Sequence, residues 1–158
     1  MLLLGVGNLL LSDDGAGVHV IRSLEALQRR GALPQSVRLY DGGTIGLSLL
    51  AQLQETDAFV AVDAMQMGAE PGTVRTFRGV EMDRQLGGTK RSAHEVALSD
   101  LIGAAHLSGC APERRALVAI QPASTEWGLS PTEAVSAAIP VACQSVISII
   151  EDWAHDSR

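Results

Sequence analysis

The sequence predicts an α/β sandwich built on one mixed, mostly parallel β-sheet, and three observations carry that prediction. Five short apolar runs alternate with helical patterns along the chain. The first three runs are apolar almost throughout rather than alternating with polar residues, which is how strands covered by helices on both faces read. The turn before the fourth run, Glu70-Pro71-Gly72, is too short to hold a crossover helix, so that strand returns antiparallel.

The elements follow in order. Strands are expected at Leu2 to Val6, Val37 to Tyr40, Ala58 to Val62, Thr73 to Phe77 and Ala116 to Ile120. A first helix begins around Asp13 to Gly15, carries Val18, Ile21, Leu24 and Leu27 inward, and stops at Gly31. A second, Ile45 to Leu53, follows the loop Asp41-Gly42-Gly43-Thr44. A third opens at Ser92, where Ser92 and Glu95 have the spacing of a capping box, which places His94 in a helical first turn. The last opens at Ser130-Pro131-Thr132-Glu133, a second capping-box spacing, and Pro140 is expected to break or kink it. The segment Arg78 to Arg91, with Gly87, Gly88 and several charges, reads as the most mobile loop.

The chain of 158 residues, 46% hydrophobic and 19% charged, reads as a single domain over 1–158. A domain of this size buries roughly 70% of its unfolded surface. The net charge of −6 argues against nucleic acid as the main partner, since too few cations are concentrated to displace counterions. The pairs Arg29-Arg30, Lys90-Arg91 and Arg114-Arg115 are scattered and read as solvated surface charges. Cys110 and Cys143 form no C-x-x-C, so the expectation is two reduced, buried thiols. The opening MLLLGVG has no basic leader, and no other stretch reads as a membrane span; a cytoplasmic protein is expected.

The loop G-V-G-N-L-L-L-S-D-D-G-A-G, from Gly5 to Gly17, raises the question of chemistry. It begins like a dinucleotide fingerprint, but the third glycine of G-x-G-x-x-G falls on Leu10, and the following helix starts with Asp13 and Asp14, which repel phosphate. One acid there is explained as a helix cap or dipole partner, worth about 0.3 to 1 kcal/mol. The second acid lacks that explanation. Asp41 and Asp63 end the second and third strands, so a parallel sheet places both on the edge that carries Asp14, where α/β sheets bind ligands. Either could instead be a simple turn-former. Asp57 and Asp100 read as solvent-facing.

Among the histidines, His19 lies within the first helix, and His106 and His155 lie near helix ends. His94 opens a helix, where the positive dipole end keeps an imidazole neutral and able to bind metal. Its H-E-x-x-H pattern fails at Leu98, and no G-x-S-x-G elbow exists. Two carboxylates and one imidazole from separate elements suit a divalent transition metal. The residues alone leave two readings open, an Asp/Asp/His metal site or a metal-free small-molecule binder.

The Gly5 to Gly17 loop, then D-G-G-T-I-G-L, V-D-A, a helix-opening S-A-H, I-Q-P and L-S-P, together resemble the hydrogenase maturation proteases, in that family's order and over most of the chain. The resemblance implies a three-layer sandwich: a twisted, mostly parallel five-stranded sheet with helices on both faces. It implies an endopeptidase that removes the C-terminal extension of a nickel-iron hydrogenase large-subunit precursor after nickel insertion. The family's metal-contacting and catalytic positions match Asp14, Asp63 and His94, with Asp14 standing where some members carry glutamate. The cation implied beside Asp14 is the nickel of the substrate precursor, held transiently, for which another divalent transition metal can stand in. The implied partner is that precursor, with neither nucleic acid nor membrane. The alternatives are a non-catalytic metal-sensing chaperone for the same precursor and, less compatible with this length, a germination-protease-like peptidase.

Overall fold

The protein was analysed as a computed structural model, which describes residues 1–43, 49–88 and 93–155, the side chains of 93–95 excepted. Strand β1 (Leu2–Val6) leads through a 3-10 turn (Ser12–Gly15) into α1 (Ala16–Arg29). There follow β2 (Arg38–Gly43), α2 (Leu50–Gln54), β3 (Ala58–Ala64), β4 (Val74–Arg78), α3 (Val80–Leu86), α4 (Ala93–Leu107), β5 (Arg114–Ile120) and α5 (Glu133–His155). The sheet order is β2-β1-β3-β5-β4. Every pairing is parallel except β4 with β5, which is antiparallel as the short turn predicts.

Alternation along the strands divides the core between two faces. Leu3, Val60, Val62, Ala116, Val118 and Ile120 pack with α1 and α5, through Val20, Ile21, Leu24, Val135, Val146 and Trp153. Their neighbours Leu2, Leu4, Phe59, Ala61, Leu117 and Ala119 pack with Met82 of α3, Leu98 and Leu101 of α4, and Leu53 of α2. Successive strand side chains point to opposite faces, so runs without polar residues fill both layers at once. Each fully buried large side chain contributes roughly 1.5 to 3 kcal/mol.

Helix α1 sits very close to the sheet because Gly5 and Gly17 carry no side chain: a Cβ on Gly17 would overlap the carbonyl oxygens of Val62 and Val6, and one on Gly5 would overlap the Gly17 carbonyl and Ile21. A Cβ on Gly7, at φ +136°, would overlap the carbonyl of Asp14, and the 3-10 turn that carries Asp14 contacts β3.

Several expectations need correction. Pro140 does not break α5, which continues to His155; one missing N–H among 23 residues is a small loss beside the buried face of Val135, Ala142, Val146, Ile149 and Trp153. That helix is also long and apolar enough, by length and composition, to cross a membrane, contrary to the sequence reading. Its apolar face is instead spent against α1 and the sheet. The segment expected to be a mobile loop contains α3, anchored by buried Met82 and Leu86. Arg115 is not a solvated surface charge: its guanidinium forks onto Asp83 at 2.9 and 2.5 Å with only 11% of the side chain exposed. Arg114 donates to the Trp153 carbonyl. The expected second helix is observed only as Leu50–Gln54, and the expected start at Ile45 and cap at Ser92 lie outside the described residues.

Candidate functional site at the carboxyl edge of the sheet

The two adjacent acids of the first loop have separate tasks. Asp13 is fully buried and accepts four hydrogen bonds: from the N–H groups of Ala123, Ser124 and Thr132, and from the Thr132 hydroxyl, at 2.6 to 3.0 Å. Burial pushes its pKa upward, but the donors from Thr132, Ser124 and Ala123 together outweigh burial and hold it below the ordinary carboxylate value. Neither acid caps α1, whose N-cap is Gly15 without a side-chain hydrogen bond. Asp13 instead holds the start of α5, a task the sequence reading gave to the capping box beginning at Ser130.

Asp14 is the second acid of the pair, in a different setting. It is 6% exposed, and its Oδ2 accepts the N–H of Asn8 at 3.0 Å. Asn8 in turn accepts from the Leu10 N–H through its own side chain, so the loop is folded back around the carboxylate. Asp63 is fully buried near the end of β3, in register with Ala119 of β5. The pleat gives it the parity of Phe59 and Ala61, which face the layer containing α4. The 3-10 turn that carries Asp14 contacts β3, the strand near whose end Asp63 stands, so the structure brings these two elements together.

His94 is the second residue of α4, on the layer that Asp63 faces, and its side chain lies outside the described residues. Among the described residues no cluster of three or more His, Cys, Asp or Glu side chains forms a metal site. Asp41 is exposed within β2, where its Oδ1 accepts the Gly43 N–H at 3.1 Å and its Oδ2 lies 3.7 Å from Arg22. It is occupied with its own turn.

The remaining titratable candidates are accounted for elsewhere. His19 is partly buried in α1, and burial followed by the charge of Arg22 lowers its pKa, keeping the ring neutral. His106 stands 3.7 Å from Asp83. Cys110 and Cys143 are free thiols, as expected, but only Cys143 is buried; Cys110, just before β5, is partly exposed. Burial raises the Cys143 pKa, which disfavours its thiolate.

Sequence reasoning missed the role of Gln121. It is 4% exposed; its Oε1 accepts the N–H groups of Met67 and Ala69 at 2.7 and 3.3 Å, and its Nε2 donates to Gln66 and to the Pro122 carbonyl. The amide thereby fixes the segment that follows Asp63. A lone glutamine between an apolar strand and a proline was the available signal.

Residues 21–149 match the family model described as hydrogenase maturation protease. The chain is 37% identical over 158 residues to the hydrogenase expression/formation protein HupD of Bradyrhizobium diazoefficiens, covering 97% of this chain and 79% of that protein. It is 35% identical over 153 residues to the hydrogenase 2 maturation protease of Escherichia coli K12, covering 96% and 91%. The solved structure of the hydrogenase maturating endopeptidase HybD from E. coli superposes with a TM-score of 0.87 at 32% identity, covering 96% of this chain and 91% of that one.

Proposed function

The chain belongs to the hydrogenase maturation protease family and is an endopeptidase of hydrogenase maturation; on that premise we propose how it recognises and cuts its substrate. The substrate is a nickel-iron hydrogenase large-subunit precursor, cut to remove its C-terminal extension once nickel has been inserted. The inserted metal is read by Asp14, Asp63 and His94. The observation that supports this reading is a pair of buried carboxylates, 6% and 0% exposed, one on the 3-10 turn and one near the end of the strand it contacts.

Burying carboxylates is costly, and a cation offsets that cost. Carboxylate and imidazole together suit a divalent first-row ion such as nickel. Thiolates are not available here, because Cys110 precedes β5 and Cys143 lies inside α5, away from the strand ends in sequence. A set of three protein groups leaves coordination positions for the ligands that the precursor itself supplies. The metal therefore belongs to the substrate, and its presence marks a precursor ready for cutting.

Hydrolysis needs a nucleophile, and water supplies it in this reading. The water oxygen attacks the scissile carbonyl carbon, the C–N bond breaks, and the proton passes through an Asp14 or Asp63 carboxylate to the leaving amine. A cation held by Asp14, Asp63 and His94 would supply charge stabilisation to the carbonyl oxygen, worth several kcal/mol. Asn8 holds Asp14 in place, and Gln121 holds the chain after Asp63.

The test is incubation of purified protein with a nickel-loaded precursor, followed by mass spectrometry of the large subunit. A product shortened at its C-terminus is expected. A stable complex with a precursor of unchanged mass would instead make the protein a metal-sensing chaperone.

A further inference from the structure

A ridge of exposed apolar side chains adjoins the site and has no part in the core. Trp127 is 82% exposed, Leu129 78% and Leu10 47%. The chain's other tryptophan, Trp153, is 7% exposed and packed in the core, so the exposed indole is not a consequence of a domain too small to bury it.

The two loops that carry the ridge are fastened to each other. Gly128 donates to the Leu10 carbonyl at 3.0 Å, and Ser12 donates to Gly128 at 2.9 Å through its N–H and to Glu126 at 2.9 Å through its hydroxyl. Asp13 closes the frame by holding Ala123, Ser124 and Thr132. A Cβ on Gly128 would overlap the Ser12 hydroxyl, so the loops meet without slack. The backbone under Trp127 is thus set in place before any partner arrives, which reduces the ordering cost of binding.

The ridge is continuous with the catalytic edge. Leu10 donates to the Asn8 side chain, and the Asn8 N–H donates to Asp14, so one short loop carries both the apolar contact and the carboxylate. We infer that Leu10, Trp127 and Leu129 form the docking surface for an apolar patch on the body of the protein substrate, beside the segment that is cut. The inference rests on the endopeptidase reading above. An endopeptidase substrate must pass over this edge to reach Asp14, and a second copy of this chain seated on the ridge would obstruct that path. Tryptophan is among the residues enriched at the energetic centres of protein interfaces, so Trp127 is the expected anchor of the three.

The test compares wild type with the double variant Trp127→Ala/Leu129→Ala, measuring binding of nickel-loaded precursor by calorimetry alongside steady-state processing. The expected result is weakening of Kd and KM by about tenfold or more. kcat at saturation and the melting temperature should be nearly unchanged, and Trp127→Phe should recover most of the affinity. Unchanged Kd and KM in the double variant would overturn the inference, as would a wild-type dimer in sedimentation that the double variant dissolves. A wild type that binds precursor through the ridge without cutting it would sustain the docking surface while refuting the proteolytic reading, so the two failures are distinguishable.

Discussion

The Thr132 N–H and hydroxyl both donate to the Asp13 carboxylate, at 2.6 and 2.9 Å, across a sequence separation of 119 residues. This contact ties the loop that carries Asp14 to the start of α5 and to the loop that carries Trp127. Stability of the fold and alignment of the candidate site therefore share one buried charge.

Replacing that charge should cost more than an ordinary surface change. Asp13→Asn turns at least one acceptor into a donor facing N–H groups, and the loss should be about 2 to 4 kcal/mol, read from denaturant unfolding. The pH dependence has a definite sign. The folded-state pKa is depressed, so the stabilisation is present above the unfolded value and disappears as pH falls through the folded one. Wild type should lose melting temperature below about pH 4 more steeply than the variant. Parallel acid profiles for the two proteins would show that Asp13 does not carry this term.

Asp14→Asn and Asp63→Asn test the site itself. Each substitution keeps the shape and removes the negative charge. Processing of nickel-loaded precursor should fall by more than the roughly 10 to 100-fold typical of residues that merely support a metal ligand. Circular dichroism should report an intact fold in both variants. A variant that processes normally removes its residue from the site.

Gln121→Leu tests whether the segment after Asp63 must be held. The change leaves the N–H groups of Met67 and Ala69 without their acceptor and should cost about 1 to 3 kcal/mol. The kcat for processing should fall while KM changes little, because docking lies elsewhere. Equal loss of kcat in an unrelated core variant of matched stability would reduce Gln121 to a structural residue.

The Asp83 and Arg115 pair fastens α3 to β5. The hydrogen bond from Arg115 is the chief cause of a lowered Asp83 pKa, so its contribution, too, fades as pH drops below the ordinary carboxylate range. With Arg115 only 11% exposed, Asp83→Asn should lower stability by about 1 to 2 kcal/mol at neutral pH and much less in acid. A loss independent of pH would contradict the ion-pair account.

The parts of this fold that were legible in the sequence are those written in local patterns. Leu2 to Val6 and Ala58 to Val62 read as strands covered on both faces because their apolar runs are continuous, and Glu70-Pro71-Gly72 betrays the antiparallel strand by its shortness. The roles of Asp13 and Gln121 were not legible, because their partners stand about 50 to 120 positions away and no spacing rule reaches that far. Helix α3 was hidden by its composition: only Met82 and Leu86 are buried in seven residues, and the flanking glycines resemble a loop. Asp63 stands out as a candidate because parallel strands end on one edge whatever their distance in sequence, and Asp14 because one of two adjacent acids has no evident capping role.

The central claim is that the metal read by Asp14, Asp63 and His94 arrives with the substrate. Its most direct measurement is processing by enzyme dialysed against a chelator that is then removed, presented with nickel-loaded or metal-free precursor. Chelated enzyme should cut the loaded precursor at the wild-type rate, and zinc or nickel added to the enzyme should not restore cutting of the metal-free one. Chelated enzyme that stays inactive on loaded precursor until zinc is restored would contradict the account and make this a protease with a resident metal.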